Sequence, residues 1–268
     1  MNEQAQAQAQ AQAHPQTDAA CWLIDAGNTR VKLCTQTGAA GLGPVRELDY
    51  DGLESLLAEA PPARVHVACV ARPERRAALA ALLPAHSHWA QTPALGLGIR
   101  CAYADHRKWG VDRWLALAAA HRRATADGGG TGAAQTGAAG VLDIGTATTF
   151  DACAADGRHL GGWIAPGPRA LIEALGGHTA LPAAAAELPA RLHLARDTEE
   201  AILLGALQSA VGGLERAATV AAAEGIGPLW LTGGGAPLLA PYLDATRFRL
   251  AEHLVLEGLR LLAAAEGS

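Results

Sequence analysis

A short motif occurs twice in this chain, and the repeat limits the folds that the chain can adopt. The segment 25–30 reads DAGNTR, and the segment 143–148 reads DIGTAT. Each copy follows an apolar run and precedes a predicted returning strand, so its glycine lies in a turn where the backbone approaches a ligand closely. Two such turns, each with a carboxylate and small hydroxyl or amide side chains, are suited to hold a phosphate chain from both sides. The repeat therefore indicates a nucleotide-handling enzyme of two similar halves.

The predicted secondary structure repeats in the same order. Strands are predicted at 21–25, 30–35, 44–48, 64–70, 87–91, 140–143, 148–154, 158–165, 228–232 and 248–250. Helices are predicted at 52–60, 73–83, 109–124, 168–176, 197–223 and 252–265. Strands that alternate with helices predict an α/β fold. Two halves of ββ-plus-βαβ type that face one cleft are typical of the actin-like nucleotide-binding architecture.

Composition divides the chain into four segments. Residues 1–18 are an Ala/Gln-rich repeat, predicted to be a disordered tail, and without a basic stretch they are not a secretory signal. Residues 19–125 form the predicted N-terminal half, and residues 141–268 form the C-terminal half. Between them, residues 126–140 are a glycine-rich segment with almost no charge, which predicts a flexible linker.

Charge and cysteine content exclude several classes of protein. The net charge of −5 argues against a nucleic-acid binder that relies on general electrostatics. No apolar run approaches the roughly 20 residues that span a bilayer. Five cysteines without a C-x-x-C pair argue against a disulfide framework or a cysteine zinc site, and they favour a cytoplasmic protein. The ten histidines have no metal-binding spacing and are interpreted as solvated or loop-capping.

The first copy of the motif has two interpretations. Asn28 and Thr29 are suited to donate hydrogen bonds to phosphate oxygens, and Asp25 is suited to hold Mg²⁺ through water. The alternative is an ordinary β-turn capped by asparagine. A Walker-type phosphate loop is excluded, because no G-x-x-x-x-G-K-[ST] segment is present.

A second candidate site lies at the start of the helix predicted at 109–124. Asp112 is suited to accept a proton from a substrate hydroxyl, and Arg113 to hold a substrate carboxylate or phosphate. The alternative is an aspartate favoured by the helix N-terminus beside a solvated arginine. In the second copy of the motif, Thr146, Thr148 and Thr149 supply hydroxyls, and Asp151 is expected to face the same side as Thr149.

Taken in order, these motifs resemble those of type III pantothenate kinases, a family that includes proteins named Bvg accessory factor. The matching patterns are D-x-G-N-T-x-x-K from Asp25, Y-x(6)-G-V-D-R from Tyr103, D-x-G-T-A-T-T-x-D from Asp143, G-G-x-I-x-P-G from Gly161 and the HTALP segment from His178. The resemblance covers residues 22–182 densely and the remainder loosely.

The resemblance implies a fold and an activity. The fold is that of acetate and sugar kinases, Hsp70 and actin (ASKHA). The activity is ATP-dependent phosphorylation of pantothenate to 4'-phosphopantothenate, the first step of coenzyme A biosynthesis. The cofactors implied are Mg²⁺ and a monovalent cation, K⁺ or NH4⁺. Family members are homodimers in which the pantothenate site is completed near the subunit interface.

The resemblance also assigns roles to residues. Asp112 matches the general base, Asp143 a monovalent-cation ligand, and 232–234 the adenosine-side turn. Positions that match ATP contacts are Asp25, Ala26, Gly27, Asn28, Thr29, Arg30, Val31, Lys32 and Thr146. Positions that match pantothenate contacts are Tyr103, Gly110, Val111, Asp112, Arg113 and Thr179.

Two other functions are compatible with parts of the pattern. One is another small-molecule kinase of the same superfamily, such as a sugar kinase, against which the complete GVDR and HTALP segments argue. The other is a regulatory accessory protein that binds nucleotide without catalysis. The retention of Asp25, Asp112, Arg113 and Asp143 argues against that second alternative.

Overall fold

The computed structural model of the chain describes residues 21–36, 41–126, 137–176, 189 and 191–266. The predicted tail at 1–18 and most of the predicted linker lie outside these residues. Within the described ranges, no helix is both long enough and apolar enough to cross a membrane.

The N-terminal half is built on a five-stranded sheet. Its strands are β1 (Cys21–Ala26), β2 (Val31–Gln36), β3 (Arg46–Leu48), β4 (Arg64–Cys69) and β5 (His88–Trp89), and its helices are α1 (Tyr50–Glu59) and α2 (Pro73–Leu82). The strand order is β3-β2-β1-β4-β5. The pairs β1–β2 and β2–β3 are antiparallel, and β1–β4 and β4–β5 are parallel. A hairpin of β6 (Leu95–Gly96) and β7 (Ile99–Arg100) then leads to the helix α3 (Val111–Ala126).

The C-terminal half repeats this arrangement. Its strands are β8 (Ala139–Ile144), β9 (Ala147–Cys153), β10 (His159–Pro166), β11 (Leu229–Thr232) and β12 (Phe248–Leu250). Its helices are α4 (Pro168–Gly176), α5 (Thr198–Ala223), α6 (Ala236–Leu239) and α7 (Leu254–Glu266). The strand order β10-β9-β8-β11-β12 has the same directions as the first sheet, so the predicted duplication is confirmed.

The helices α3 and α7 lie between the two sheets. One core cluster contains Leu23 of the first sheet and Val141 of the second, together with Leu115 of α3 and Leu256 of α7. Each sheet buries its other face against its own outer helices, α1 and α2 in one half and α5 in the other. Because α3 packs between both sheets, side chains at its N-terminus lie near both halves.

Most predicted elements are found within a few residues of their predicted bounds, and capping explains several boundaries. Asp49 Oδ1 accepts a hydrogen bond from the Gly52 N–H (2.8 Å) at the start of α1. Asp197 Oδ1 accepts one from the Glu200 N–H (2.8 Å) at the start of α5, as the sequence predicted.

Three of the boundaries that differ from the prediction are the starts of α3, α7 and β8. Helix α3 begins at Val111 rather than at residue 109, because the backbone of Trp109 is extended. Helix α7 begins at Leu254, because His253 has a φ of 60° and cannot continue a helix. Strand β8 begins at Ala139, so the last two residues of the predicted linker belong to the second sheet.

Candidate active site

The two aspartates of the repeated motif face the central helices. Side chains two residues apart in a strand point to the same face. Leu23 and Val141 belong to the core around α3 and α7, so Asp25 and Asp143, two residues further along, project into the same layer at the ends of β1 and β8. The fold therefore brings the two copies of the motif to one cleft.

Asp112 lies in the first turn of α3, near enough to both aspartates for its charge to raise their pKa values. Its Oδ1 accepts a hydrogen bond from the Arg113 N–H (2.8 Å), which holds the carboxylate against the start of the helix. A Cβ atom at Gly110 would come within 2.5 Å of that same oxygen. Only glycine leaves room at position 110 for this orientation of Asp112.

The three carboxylates share one electrostatic environment. Burial, with smaller contributions from the charges of Asp112 and Asp143, raises the pKa of Asp25 to about 7, against the opposing charge of Lys32. Burial and Asp112 raise the pKa of Asp143 to about 6, again against Lys32. Burial also raises the pKa of Asp112, although Arg113 opposes this shift. This cluster concentrates negative charge, which a bound cation would stabilise.

The neighbours of the two motif aspartates differ. Lys32 lies directly opposite Asp25 in the β1–β2 pair. Asp143 instead lies opposite Thr149 in β9 and beside Thr232 in β11. One half therefore offers an ammonium group next to its carboxylate, and the other offers hydroxyl oxygens.

The first turn is held in place by groups from two helices. The Gly27 N–H donates to the Arg30 carbonyl oxygen (3.0 Å), and the Tyr50 hydroxyl donates to the Gly27 carbonyl oxygen (2.7 Å). Asn28 Oδ1 accepts a hydrogen bond from the Arg72 N–H at the start of α2 (2.9 Å). The Asn28 oxygen thus anchors the loop and leaves the amide NH₂ as the group suited to bind phosphate. Thr29 and Arg30 are exposed, whereas Ala26 and Val31 are buried and only their backbone can contact a ligand.

The second turn is shorter and is surrounded by other loops. The Gly145 N–H donates to the Ala147 carbonyl oxygen (3.0 Å), and Thr146 accepts a bond from the Gly167 N–H (3.2 Å) through its own carbonyl oxygen. Gly233 has a φ of +87°, and a Cβ there would lie 2.3 Å from Asp143 Oδ1. The glycine turn after β11 therefore packs directly on Asp143. Thr146 itself is exposed.

Arg113 belongs to a buried polar network that the sequence did not predict. Its Nε and Nη2 donate to the Asp151 carboxylate at 2.6 and 2.8 Å. The Trp109 indole N–H and His159 Nε2 each lie 3.1 Å from Asp151 Oδ1. Arg113 is only 7% exposed, so its interpretation as a solvated side chain is wrong. The prediction that Asp151 shares a face with Thr149 agrees with its position two residues along β9.

Tyr103 connects this network to the candidate pantothenate side. Its hydroxyl accepts a hydrogen bond from Arg113 Nη1 (3.3 Å), and its ring stacks on His159 with 5.9 Å between centroids. His159 in turn stacks on Trp109 at 3.9 Å. Gly110 and Val111 lie next to this group at the start of α3. Thr179, the remaining predicted pantothenate contact, lies outside the described residues.

Comparisons with known proteins agree on one family. A family model described as type III pantothenate kinase matches residues 21–219. A protein named type III pantothenate kinase from Alkalilimnicola ehrlichii is 38% identical over 268 residues, covering 92% of this chain and 99% of that protein.

Two solved structures support the fold. A putative Baf family transcriptional activator from Campylobacter jejuni is 18% identical, with a TM-score of 0.59 and coverage of 92% of this chain and 98% of that one. A putative 2-dehydro-3-deoxygalactonokinase from Sinorhizobium meliloti is also 18% identical, with a TM-score of 0.54 and coverage of 91% and 96%. The predicted ASKHA-type fold is confirmed.

Proposed function

The chain belongs to the type III pantothenate kinase family, and on this premise we propose that it transfers the γ-phosphoryl group of ATP to the primary hydroxyl of pantothenate. The products are 4'-phosphopantothenate and ADP, and the reaction is the first step of coenzyme A biosynthesis. The family match over residues 21–219 is the observation that carries this assignment. The convergence of Asp25, Asp112 and Asp143 on one cleft supplies groups suited to the chemistry.

Asp112 is the proposed general base. Its carboxylate lies at the end of a helix packed between both halves, where it can face a substrate hydroxyl and the ATP phosphates together. Burial raises its pKa, which makes the carboxylate a better proton acceptor near neutral pH. The hydrogen bond from the Arg113 N–H fixes its orientation before substrate binds.

The proposed phosphate site consists of the two turns. Asn28, Thr29, Lys32 and the exposed N–H groups of the first turn bind phosphate oxygens from one side, and Thr146 binds them from the other. Asp25 would hold Mg²⁺ through water, in keeping with the preference of that ion for carboxylates, waters and phosphates. When bound, Mg²⁺ neutralises charge on the ATP phosphates. The arrangement of Thr149 and Thr232 around Asp143 favours an oxygen-rich site for K⁺ or NH4⁺.

The proposed pantothenate side contains Tyr103, Gly110, Val111, Arg113 and Thr179. Because Asp151 already binds two nitrogens of Arg113, the guanidinium is held rigidly and presents Nη1 towards Tyr103. Arg113 and Tyr103 therefore act as one preorganised unit towards the polar end of pantothenate. The proposal includes a homodimer. The second subunit closes the pantothenate side of the cleft.

A coupled ADP-release assay tests the function. We expect ADP release that depends on pantothenate, requires Mg²⁺, and rises when K⁺ or NH4⁺ replaces Na⁺. A panel of sugars serves as the control, since another kinase of the superfamily would respond to one of them. ATP binding without ADP release for any acceptor would instead indicate a regulatory protein and would refute the assignment.

A further inference from the structure

A group of three metal-ligating side chains lies at the far edge of the first sheet, away from the cleft. His66 of β4 and His88 of β5 are direct partners in the parallel register of these strands. Glu266, the last residue of α7, reaches them from the central helical layer. One ligand atom of each residue lies within 4.8 Å of the other two.

The geometry of the three side chains is close to that of a metal site. His66 Nδ1 lies 3.7 Å from Glu266 Oε2, and His88 Nδ1 contacts the same oxygen. The centroids of the two imidazole rings are 5.1 Å apart, and the ring planes are inclined at 65° in an edge-to-face contact. Ligand bonds of about 2.0–2.2 Å in a tetrahedron place donor atoms roughly 3.3–3.6 Å apart. Small side-chain rotations of His88 and Glu266 therefore bring all three donors to a common centre.

One donor atom in this group has no hydrogen-bond partner. Among the described residues, His66 Nδ1 is one of two buried side-chain polar atoms without a hydrogen-bond partner. A buried polar atom without a partner is costly, and such atoms in native structures call for an explanation such as an ion. The side chains of His88 and Glu266 are each 39% exposed, so an ion can enter from solvent.

An open surface pocket, separate from the active-site cleft, adjoins the group. It has a volume of about 730 Å³, and its lining includes His88 and Glu266 together with Trp89 and Trp114. A water molecule in this pocket is suited to complete the coordination sphere of a bound ion. The pocket therefore provides both a route for the ion and the water that serves as its remaining ligand.

We propose that His66, His88 and Glu266 bind a divalent first-row transition metal of the zinc type, with water as the fourth ligand. Two imidazoles and one carboxylate suit Zn²⁺ and its neighbours, whereas Mg²⁺ requires mainly oxygen ligands. The site is therefore chemically distinct from the cation sites proposed in the cleft. Bound metal would join the end of α7 to the edge of the first sheet.

Isothermal titration of ZnCl₂ into the chelator-treated full-length chain tests this site. We expect one ion per chain at this site and a rise in Tm of about 5 °C or more when free Zn²⁺ is 100-fold above Kd. The variants His66→Ala, His88→Ala and Glu266→Gln should each weaken binding at least about 10-fold and reduce the Tm shift. His86→Ala is the matched control, because His86 is an exposed histidine that hydrogen-bonds to the Ala63 carbonyl oxygen, outside the group.

A second measurement keeps the test independent of variant stability. Co²⁺ in place of Zn²⁺ should give the visible absorption of a four-coordinate site in the wild type and in His86→Ala, but not in Glu266→Gln. Circular dichroism and pantothenate kinase activity with Mg²⁺ report whether each variant is folded. Equal Zn²⁺ affinity in folded wild-type and Glu266→Gln chains, or no wild-type binding at about 1 mM Zn²⁺, would overturn the proposal.

Discussion

At the scale of single residues, the cleft stores electrostatic strain in the ligand-free protein. Asp25 and Asp143 have raised pKa values because both are desolvated and both lie near the charge of Asp112, with Lys32 opposing the shifts. Carboxylates placed in this way favour folding less than neutral groups would. The same arrangement is suited to bind cations, which can in turn bind phosphates. A site that lowers the stability of the free protein in this way can be retained because its function requires it.

The raised pKa of Asp25 predicts a pH-dependent stability. Its value is about 7 in the folded chain, against 3.8 for the free group. Between these values the folded state retains a proton that the unfolded state has released, so stability falls as pH rises from about 4 to 7. Asp25→Asn removes this titration. With chelator present at pH 8, it should be more stable than the wild type by at least about 1 kcal/mol, or roughly 2–4 °C in Tm, with little difference at pH 4.

Thermal unfolding across pH 4–8 measures this difference. Asp51→Asn is the control, because Asp51 is exposed in α1 and should follow the wild-type profile. Parallel wild-type and Asp25→Asn profiles would contradict the raised pKa of Asp25.

A second residue-scale prediction concerns Asp151. This carboxylate is 2% exposed and binds Arg113, Trp109 and His159. Asp151→Asn leaves the Arg113 charge buried without its partner, which typically costs about 3–5 kcal/mol. Urea denaturation should show a loss of that order in the free energy of unfolding.

The control for Asp151 is another Asp–Arg pair. Asp105 binds Arg107 at 2.9 Å, but Arg107 is 79% exposed. Asp105→Asn should leave the urea midpoint unchanged, because exposed pairs contribute little. A similar, small effect of both substitutions would mean that the Asp151 network does not stabilise the fold.

These residues also show how far the sequence predicts the site. Asp25, Asp112 and Asp143 were identified because each lies in a local motif. The partners of Asp151 were missed, since Trp109 and Arg113 lie around the start of α3 and His159 lies in β10, all outside the local pattern of the second motif. The partners in a buried ion pair of this kind are not separated by a characteristic number of residues in the sequence. Its one available signal was the aspartate that ends the second motif.

At the scale of elements, the packing of α3 against α7 fixes the relation of the two halves. Gly258 of α7 lies so close to α3 that a Cβ there would be 2.2 Å from the Leu115 carbonyl oxygen. Arg123 of α3 also binds Glu257 of α7, with Nη2 2.5 Å from Oε2. The close contact requires a residue without a side chain at position 258.

Gly258→Ala therefore tests this packing. The added methyl group should force the helices apart and lower the free energy of unfolding by about 1–3 kcal/mol, as overpacking does. Gly213→Ala in α5 is the matched control, because its Cβ would meet nothing within 4 Å. That variant should be neutral or more stable by up to about 1 kcal/mol, since alanine favours helix. Equal stability of both variants would contradict the proposed close packing.

The elements themselves were largely predictable. The repeated ββ-plus-βαβ order, the hairpin of β9 and β10, and α4 with its predicted bounds all follow from local patterns. The hairpin of β6 and β7 was missed, because its turn contains Leu97 with a φ of 50° beside Gly98 with a φ of 82°. Leucine is rare in that conformation, so the turn carries no typical sequence signal.

At the scale of the whole molecule, we propose that the two halves hold the ligands and that the helix between them carries the base. Each sheet presents one turn and one carboxylate to the cleft, from β1 and β8. Asp112 belongs to neither turn, and its helix packs against both sheets. We therefore propose that one carboxylate acts on the substrate hydroxyl while both turns hold the phosphates.

The kinetics of Asp112→Asn test this account most directly. A positioned general base contributes about 10²–10⁴-fold, so kcat with pantothenate should fall at least about 10²-fold. Because the two turns are untouched, KM for ATP should change little. Circular dichroism and Tm would show that the variant is folded, and Asp51→Asn should keep wild-type kcat. A folded Asp112→Asn enzyme with kcat near that of the wild type would contradict the assignment of Asp112 as the base.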